Sequence, residues 1–132
     1  MAEIGQVIKT KLTAHAGLSA LISTRVHPLQ LPQQPSLPAL TYRMVSLTPV
    51  ATRDNSGKAG LERPRFQFDC WASTYGGAQA VAQQLREALT TFPQASDPRI
   101  DVALVANALD DYEPDTDRWR VILDAFIWHA ES

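Results

Sequence analysis

The chain has 132 residues, a formal net charge of −2 at pH 7, 45% hydrophobic residues and 20% charged residues. This length predicts one domain over residues 1–132, and the apolar content excludes a wholly disordered chain. The near-neutral charge creates no field that favours nucleic acid or an anionic membrane. No apolar run approaches the roughly 20 residues that span a bilayer. We therefore expect neither sequence-specific nucleic acid nor a membrane as a partner.

The N-terminal part predicts helix followed by an extended connector. Apolar residues recur at helical spacing within residues 2–16, and Gly17 is expected to end this helix. A short second helical turn is expected at residues 19–22. Residues 25–38 contain four prolines, which lack an N–H group and restrict the residue before them, so an extended connector is predicted there.

Two strands and a long link are predicted next. Residues 39–47 alternate and are rich in β-forming side chains, which indicates the first strand. The second strand begins at Arg63 and alternates with a period of two, as a strand with one buried face requires. One face carries the apolar residues Phe66, Phe68 and Cys70, and the other carries Arg65, Gln67, Asp69 and Trp71.

The link at residues 48–62 is too long for an ordinary hairpin turn. Its centre contains the turn-forming residues Asp54, Asn55, Ser56 and Gly57. Such a length predicts a mobile loop with a role in binding. The candidate partner-binding residues are Arg53, Asp54, Asn55 and Lys58.

The second half repeats the order of helix and strands. Ser73 or Thr74 is predicted to cap a helix that carries an apolar stripe and ends at Pro93. A third strand is predicted over residues 97–108, with Ile100, Val102 and Leu104 on one face, then an acidic turn at 110–117 and a fourth strand at 118–129. The resulting fold class is α+β. It has the order α-β-β-α-β-β, with a four-stranded antiparallel sheet and helices on one face.

Candidate chemistry is sparse. The acidic turn could gather oxygens around calcium, but a loop starting at Asp111 has Thr116 and Ile122 where an EF-hand needs Gly and Glu. Cys70, the single cysteine, falls on the predicted buried face and is expected to pack in the core. The three histidines lack the spacing of a local zinc pair. We expect no metal, no cofactor and no catalytic residue.

The second face of the strands is more informative, because it mixes aromatic residues with both signs of charge. Aromatic residues and arginine are enriched at protein–protein interfaces. The alternative is that the N-terminal helix or the proline-rich connector covers part of this face. The candidate subunit-interface residues are Arg65, Trp71, Arg118, Arg120, Phe126 and Trp128.

The order of these features resembles the tail-completion, or tail-terminator, proteins of long-tailed bacteriophages and prophage elements. The resemblance covers nearly the whole chain. It rests on four stretches, which are LSALISTRVHP from Leu18, LPALTY from Leu37, RFQFDCWASTYGGAQAVAQQLREAL from Arg65 and DDYEPDTDRWRVILDAFIWH from Asp110.

The resemblance implies a non-enzymatic virion protein. Such proteins assemble into a ring, commonly six-fold, that caps the tail tube and joins the tail to the head. The implied partners are copies of itself, the tail tube protein and a head-completion or neck protein. The implied location is the tail or neck of the virion, with the host cytoplasm during assembly. Two alternatives stay open: a head-completion or neck connector protein, and a small enzyme or regulator that uses Cys70 or the acidic turn.

Overall fold

The computed structural model describes residues 3–50, 61–96 and 99–130. No helix in these ranges is long and apolar enough to cross a membrane. The helices and strands in chain order are α1 (Ile4–Ala14), α2 (Ala16–Ile22), β1 (Val26–Pro28), β2 (Ala39–Val50), β3 (Leu61–Ala72), α3 (Tyr75–Leu89), β4 (Ile100–Glu113) and β5 (Arg118–Ala130).

The described strands form one five-stranded sheet in the order β1-β2-β3-β5-β4. The four predicted strands are β2, β3, β4 and β5, and each pairs antiparallel with its neighbour. The prediction of four antiparallel strands is wrong in one respect, because β1 adds a fifth strand that runs parallel to β2.

The extra strand β1 lies inside the predicted proline-rich connector. The Leu40 N–H group donates to the Arg25 carbonyl at 3.0 Å, and the Leu29 N–H group donates to the Tyr42 carbonyl at 2.9 Å. These bonds flank Pro28, whose missing N–H group is not needed on this side of the strand. A short strand can therefore form where the proline content predicts only a connector.

The N-terminal helices differ from the prediction at their junction. Helix α1 ends at Ala14, and His15 is extended and begins α2, with its Nδ1 atom accepting the Leu18 N–H group at 3.1 Å. Gly17 was expected to end the first helix, but it lies within α2. The side chain of Gln84 on α3 occupies the space that a Cβ atom at Gly17 would need, so glycine permits close contact between the two helices.

One hydrophobic core lies between the helices and one face of the sheet. Thr74 caps α3 by accepting the Gly77 N–H group at 3.0 Å, as predicted. The buried stripe of α3 packs against the alternating apolar residues of β3 and β5, including Phe68 and Leu123, which are fully buried. Buried residues of α1 and α2 belong to the same cluster. The helices therefore cover one face, and we call the opposite face of the sheet the outer face.

The hairpin of β2 and β3 is longer than predicted. Residues 48–50 and 61–62, assigned to the loop by the sequence, are strand residues, and Val50 pairs with Leu61. The candidate loop residues Arg53, Asp54, Asn55 and Lys58 lie outside the described residues. Strand β3 pairs with β5 at residues 61–62 and again at 65–72, skipping Pro64 and the residue before it. Pro64 has no N–H group to donate, which accounts for the gap.

Strand β4 also departs from the prediction. It spans residues 100–113, and its register with β5 shifts between Ile100 and Val102 and again between Val105 and Asn107. Each irregularity reverses the alternation, because one extra residue moves the following side chains to the other face. Ile100 therefore faces the core, whereas Val102 and Leu104, predicted to share its face, lie opposite outward-facing residues of β5.

Candidate interaction surface

The six candidate interface residues all lie on the outer face. Arg65 and Trp71 are on β3, and the other four are on β5. The strand register places Arg65 opposite Phe126 and Trp71 opposite Arg120. The remaining two, Arg118 and Trp128, lie near opposite ends of β5. The structure thus brings four of the six residues together as two cross-strand pairs.

Ion pairs connect three neighbouring strands of this face, which are β3, β5 and the edge strand β4. Arg120 on β5 contacts Asp69 of β3 at 3.2 Å and also pairs with Asp111 of β4. The hydrogen bond from Arg120 lowers the pKa of Asp111 below its ordinary value. Arg65 pairs with Asp124 across β3 and β5. The face is therefore a network of opposite charges held by strand register, and much of it is satisfied within the chain.

Aromatic rings lie between these charges. The Arg120 guanidinium is 4.8 Å from the centre of the Trp71 ring, and the indole N–H of Trp71 donates to the Thr41 hydroxyl at 3.1 Å. Only 8% of Trp71 remains exposed. At the other end, Arg63 lies 4.7 Å from the Phe126 ring and 5.3 Å from the Trp128 ring. These distances are those of cation–π contacts.

Arg63 is a residue that the sequence prediction left out. It has the same parity as Arg65, so extending the alternation past Pro64 would have placed it on the outer face. Phe126 and Trp128 are half-buried and remain partly accessible beside it. This end of the outer face presents two partly exposed aromatic rings under one cation, the composition that is enriched at interfaces.

An open depression of about 350 Å³ lies at the other end of the outer face. Leu29 and Leu31 of the connector form one side, so the connector reaches this face, as the alternative interpretation expected. Arg43 and Arg118 lie at the depression, with Trp71 also lining it. Within the described part of the chain, neither of these two arginines forms a salt bridge or a side-chain hydrogen bond. The depression therefore offers two cations in a largely polar lining that also contains Asp69 and Glu113.

The acidic stretch forms a shorter turn than predicted. Asp110 and Asp111 continue β4, and the turn is confined to residues 114–117. Adjacent strand residues point to opposite faces: Asp110 accepts hydrogen bonds from Tyr75 and Gln79 of α3, whereas Asp111 pairs with Arg120 on the outer face. In the described ranges no three His, Cys, Asp or Glu side chains are grouped to hold a metal ion.

Cys70 lies in the core, as the alternation predicted. Its side chain is fully buried, and burial, followed by the nearby charge of Asp69, raises the pKa of its thiol well above the ordinary value. A nucleophilic cysteine needs the thiolate and access to its target. The environment of Cys70 supplies neither, which favours packing over the alternative of a reactive thiol.

Comparison with known proteins agrees with the resemblance found in the sequence. A chain from the solved structure described as the virion of a native gene transfer agent particle is 19% identical to this one. The two superpose with a TM-score of 0.65 over 94% of this chain and 92% of that chain, so they share a fold. Among curated proteins, none matches this chain.

The model of the family described as "Tail completion protein gp17" matches residues 6–130. This range includes the whole sheet, all but the first residues of α1, and every candidate residue of the outer face. The family is one of phage tail structural proteins and is non-enzymatic. The match confirms the predicted family, and the chain belongs to the tail completion proteins.

Proposed function

We propose that this protein forms a homo-oligomeric ring, with six subunits expected, that caps the phage tail tube and joins the tail to the head. The observation that carries the proposal is the family match over residues 6–130. The shared fold with a chain of a gene transfer agent virion supports a place in the tail or neck of a virion. Its partners in this role are the tail tube protein and a head-completion or neck protein, met in the host cytoplasm during assembly.

The outer face is the proposed subunit contact, formed by Arg65, Trp71, Arg118, Arg120, Phe126 and Trp128. Its two halves contribute differently. Trp71 and Arg120 are largely satisfied by neighbours in the same chain, so they shape the surface. Phe126 and Trp128 keep accessible area, and burying such aromatic rings supplies much of the energy of an interface.

The segment between β2 and β3 is the proposed contact with the tube or the neck. Its polar residues Arg53, Asp54, Asn55 and Lys58 are the candidate contacts. The supporting observation is the length of the hairpin, whose described pairing continues to Val50 and Leu61. Val50 and Leu61 are the described strand residues nearest in sequence to this segment.

Electron microscopy and light scattering of the purified protein test the proposal. Rings are expected, or rings that form when tail tubes are added, together with arrest of tube elongation. Trp128→Ala is expected to weaken association by about thirtyfold, since truncating an interface tryptophan costs about 2 kcal/mol. Gln83→Ala, which shortens an exposed side chain on α3 away from the outer face, is the control. A protein that stays monomeric both alone and on tubes would contradict the ring.

A further inference from the structure

The sheet has two open edges on opposite sides. Strand β1 pairs with β2 only at Leu40–Tyr42, so no described strand lies beside residues 43–50. Strand β4 pairs with β5 alone, apart from a bridge at Ile100, where Gln94 donates and accepts backbone hydrogen bonds at 3.0 Å. In the described structure the β4 edge is therefore open from residue 102. Open edges expose rows of backbone donors and acceptors that pair readily with another strand.

The direction of the free backbone groups follows from the bonds already made. Leu40 and Tyr42 bond toward β1, and alternate residues point the same way, so the N–H and C=O groups of Met44 face the open side. Ala130 of β5 donates to Arg99, so the even residues of β5 bond toward β4. Residues of β4 opposite odd residues, such as Ala103 and Val105, therefore direct their backbone groups outward.

Exposed apolar side chains are concentrated on these two edges. Met44, Val45 and Leu47 on β2 are 44–46% exposed, and Leu104 and Leu109 on β4 are each 48% exposed. Soluble proteins usually protect open edges with lysine, other charges or proline. Residues 44–48 of β2 carry none of these. A register irregularity between Met44 and Ser46 is the one protective feature of these residues, so the β2 edge lacks protection by charge and by proline.

A second copy of the chain fits both edges. Strands β2 and β5 run in one direction, and β3 and β4 run in the other. A rotation about an axis parallel to the strands places β4 of one copy antiparallel to β2 of the next. This contact joins two different surfaces, which is the kind of contact that closes a ring.

The positions of paired residues along the strands also align the two edges. One row of paired residues runs across the sheet through Met44, Phe66, Ala125 and Val105. Without stagger between copies, Val105 of one copy therefore meets Met44 of the next, and apolar side chains on the helix side come together.

Opposite charges also come together where the end of β4 of one copy would lie beside β1 of the next. The row through Val26, Leu40, Cys70 and Val121 ends at Asp110. The acidic end of β4, which includes Asp110 and Glu113, is thus level with β1. There Val26 is flanked by Arg25 and His27. The pKa of His27 is lowered by burial and by the nearby positive charges of Lys9 and Arg25. Asp110 bonds only to neutral donors among the described residues.

We infer that copies of this chain associate edge to edge, with residues 102–105 of β4 of one copy adding as an antiparallel strand to residues 44–48 of β2 of the next, while the acidic end of β4 lies beside β1. The inference rests on the proposed ring and names the strands that close it. The added strand would also extend the outer face, because Phe126 and Trp128 lie opposite Leu104 and Val102 of β4. A strand added to β4 would flank these aromatic rings.

Two proline variants test the inference. Met44→Pro and Ala103→Pro each remove one outward N–H group, without removing a bond to β3 or β5. Met44→Thr and Ala103→Ser are the matched controls, since they change the side chain and keep the N–H group. Native mass spectrometry measures assembly, and circular dichroism checks the fold. If a proline variant does not fold, Leu47→Lys and Leu104→Lys block the same edges through exposed side chains.

The expected result is specific to a contact between two different edges. Each proline variant alone is monomeric at concentrations where the wild type and the controls form rings. An equal mixture of the two forms a heterodimer of twice the 14.5 kDa chain mass, because only one intact β2 edge meets one intact β4 edge.

Other outcomes separate the inference from the ring itself. Rings in both proline variants would overturn edge pairing and leave the proposed ring intact. A homodimer of the Met44→Pro variant would indicate pairing between two β4 strands and would also overturn the inference. A wild type that is monomeric alone and on tubes would contradict the proposed function, and the inference with it.

Discussion

Replacing Arg120 with methionine is expected to destabilise the fold itself, before any effect on assembly. Arg120 is 22% exposed and Asp69 is 12% exposed at their side chains, so this pair is largely shielded from water. Methionine retains much of the packing of the arginine stem. The variant therefore isolates the charge, and it leaves the Asp69 carboxylate without its cation in the middle of the sheet.

The expected loss is about 3 kcal/mol. Removing one partner of a buried ion pair costs about 3–5 kcal/mol. Asp69 keeps a hydrogen bond from Gln67 at 2.9 Å, which reduces the cost, whereas losing the cation over Trp71 adds about 0.5–1 kcal/mol. At about 2.1 cal/mol/K per residue, this loss lowers the melting temperature by roughly 10 °C.

Urea unfolding followed by far-ultraviolet circular dichroism measures the change, with wild type and variant in the same oligomeric state. Arg99→Met is the matched control: Arg99 and Asp101 are 3.0 Å apart but 52% and 44% exposed, so the loss should be below about 1 kcal/mol. Adding Asp69→Asn to Arg120→Met should recover about half of the loss, because the buried carboxylate is then removed and only the more exposed Asp111 is left without its cation. If Arg120→Met costs no more than the control, the network does not hold the strands together.

Three further outcomes are expected. The fully buried Cys70 should react with a thiol reagent about a hundredfold or more slowly in the native protein than in the urea-unfolded chain, and rapid native labelling would place it outside the core. The pKa of His27 is lowered by burial, Lys9 and Arg25. Protonation therefore favours the unfolded chain, and the free energy of unfolding should fall as pH drops below the unfolded value near 6.5. Urea titrations between pH 5 and 7 should show a flatter pH dependence for His27→Gln, and an unchanged slope would refute this role. Phe68→Ala should cost about 3–5 kcal/mol in the same unfolding assay, and a loss below 1 kcal/mol would contradict its place in the core.

Regular patterns in the sequence predict the centre of this fold well. The alternation of Phe66, Phe68 and Cys70 and the stripe of α3 locate the two layers correctly, because each follows from the geometry of a single element. Strand β1 is different. It has only three residues, one of them Pro28, and such a short segment carries little local signal. It becomes a strand through bonds to β2, which is distant in sequence.

Bulges account for the error in β4. The sequence around Asp101 alternates as a regular strand would, so Val102 and Leu104 are assigned to the face of Ile100. One residue more in the ladder reverses that assignment. Hydrophobicity alone does not reveal the reversal, because apolar residues occur on both faces of this edge strand.

The residue types of the candidate surface could be predicted from the sequence, but the contacts between their side chains could not. Alternation places Arg120 and Trp71 on the outer face, but their contact depends on the register between β3 and β5. The pairing of Arg120 with Asp111 depends in turn on where β4 ends and the turn begins. Register is set by the packing of the whole sheet. Residues that look free for a partner in the sequence are therefore partly engaged within the chain.

The gap in pairing at Pro64 divides the long hairpin into two parts that differ in how firmly β3 is held. On one side of it, β3 is bonded to both neighbours and supported by the helices; on the other, only the row at residues 61–62 joins it to β5. Backbone amides of this outer row should exchange with deuterium before those of residues 65–72, because they open without breaking the core. The subunit then combines a stiff body with a compliant extension. In the proposed ring, bending of these extensions would let the subunits contact a neighbouring component of different diameter without a change in the packing of helices and sheet.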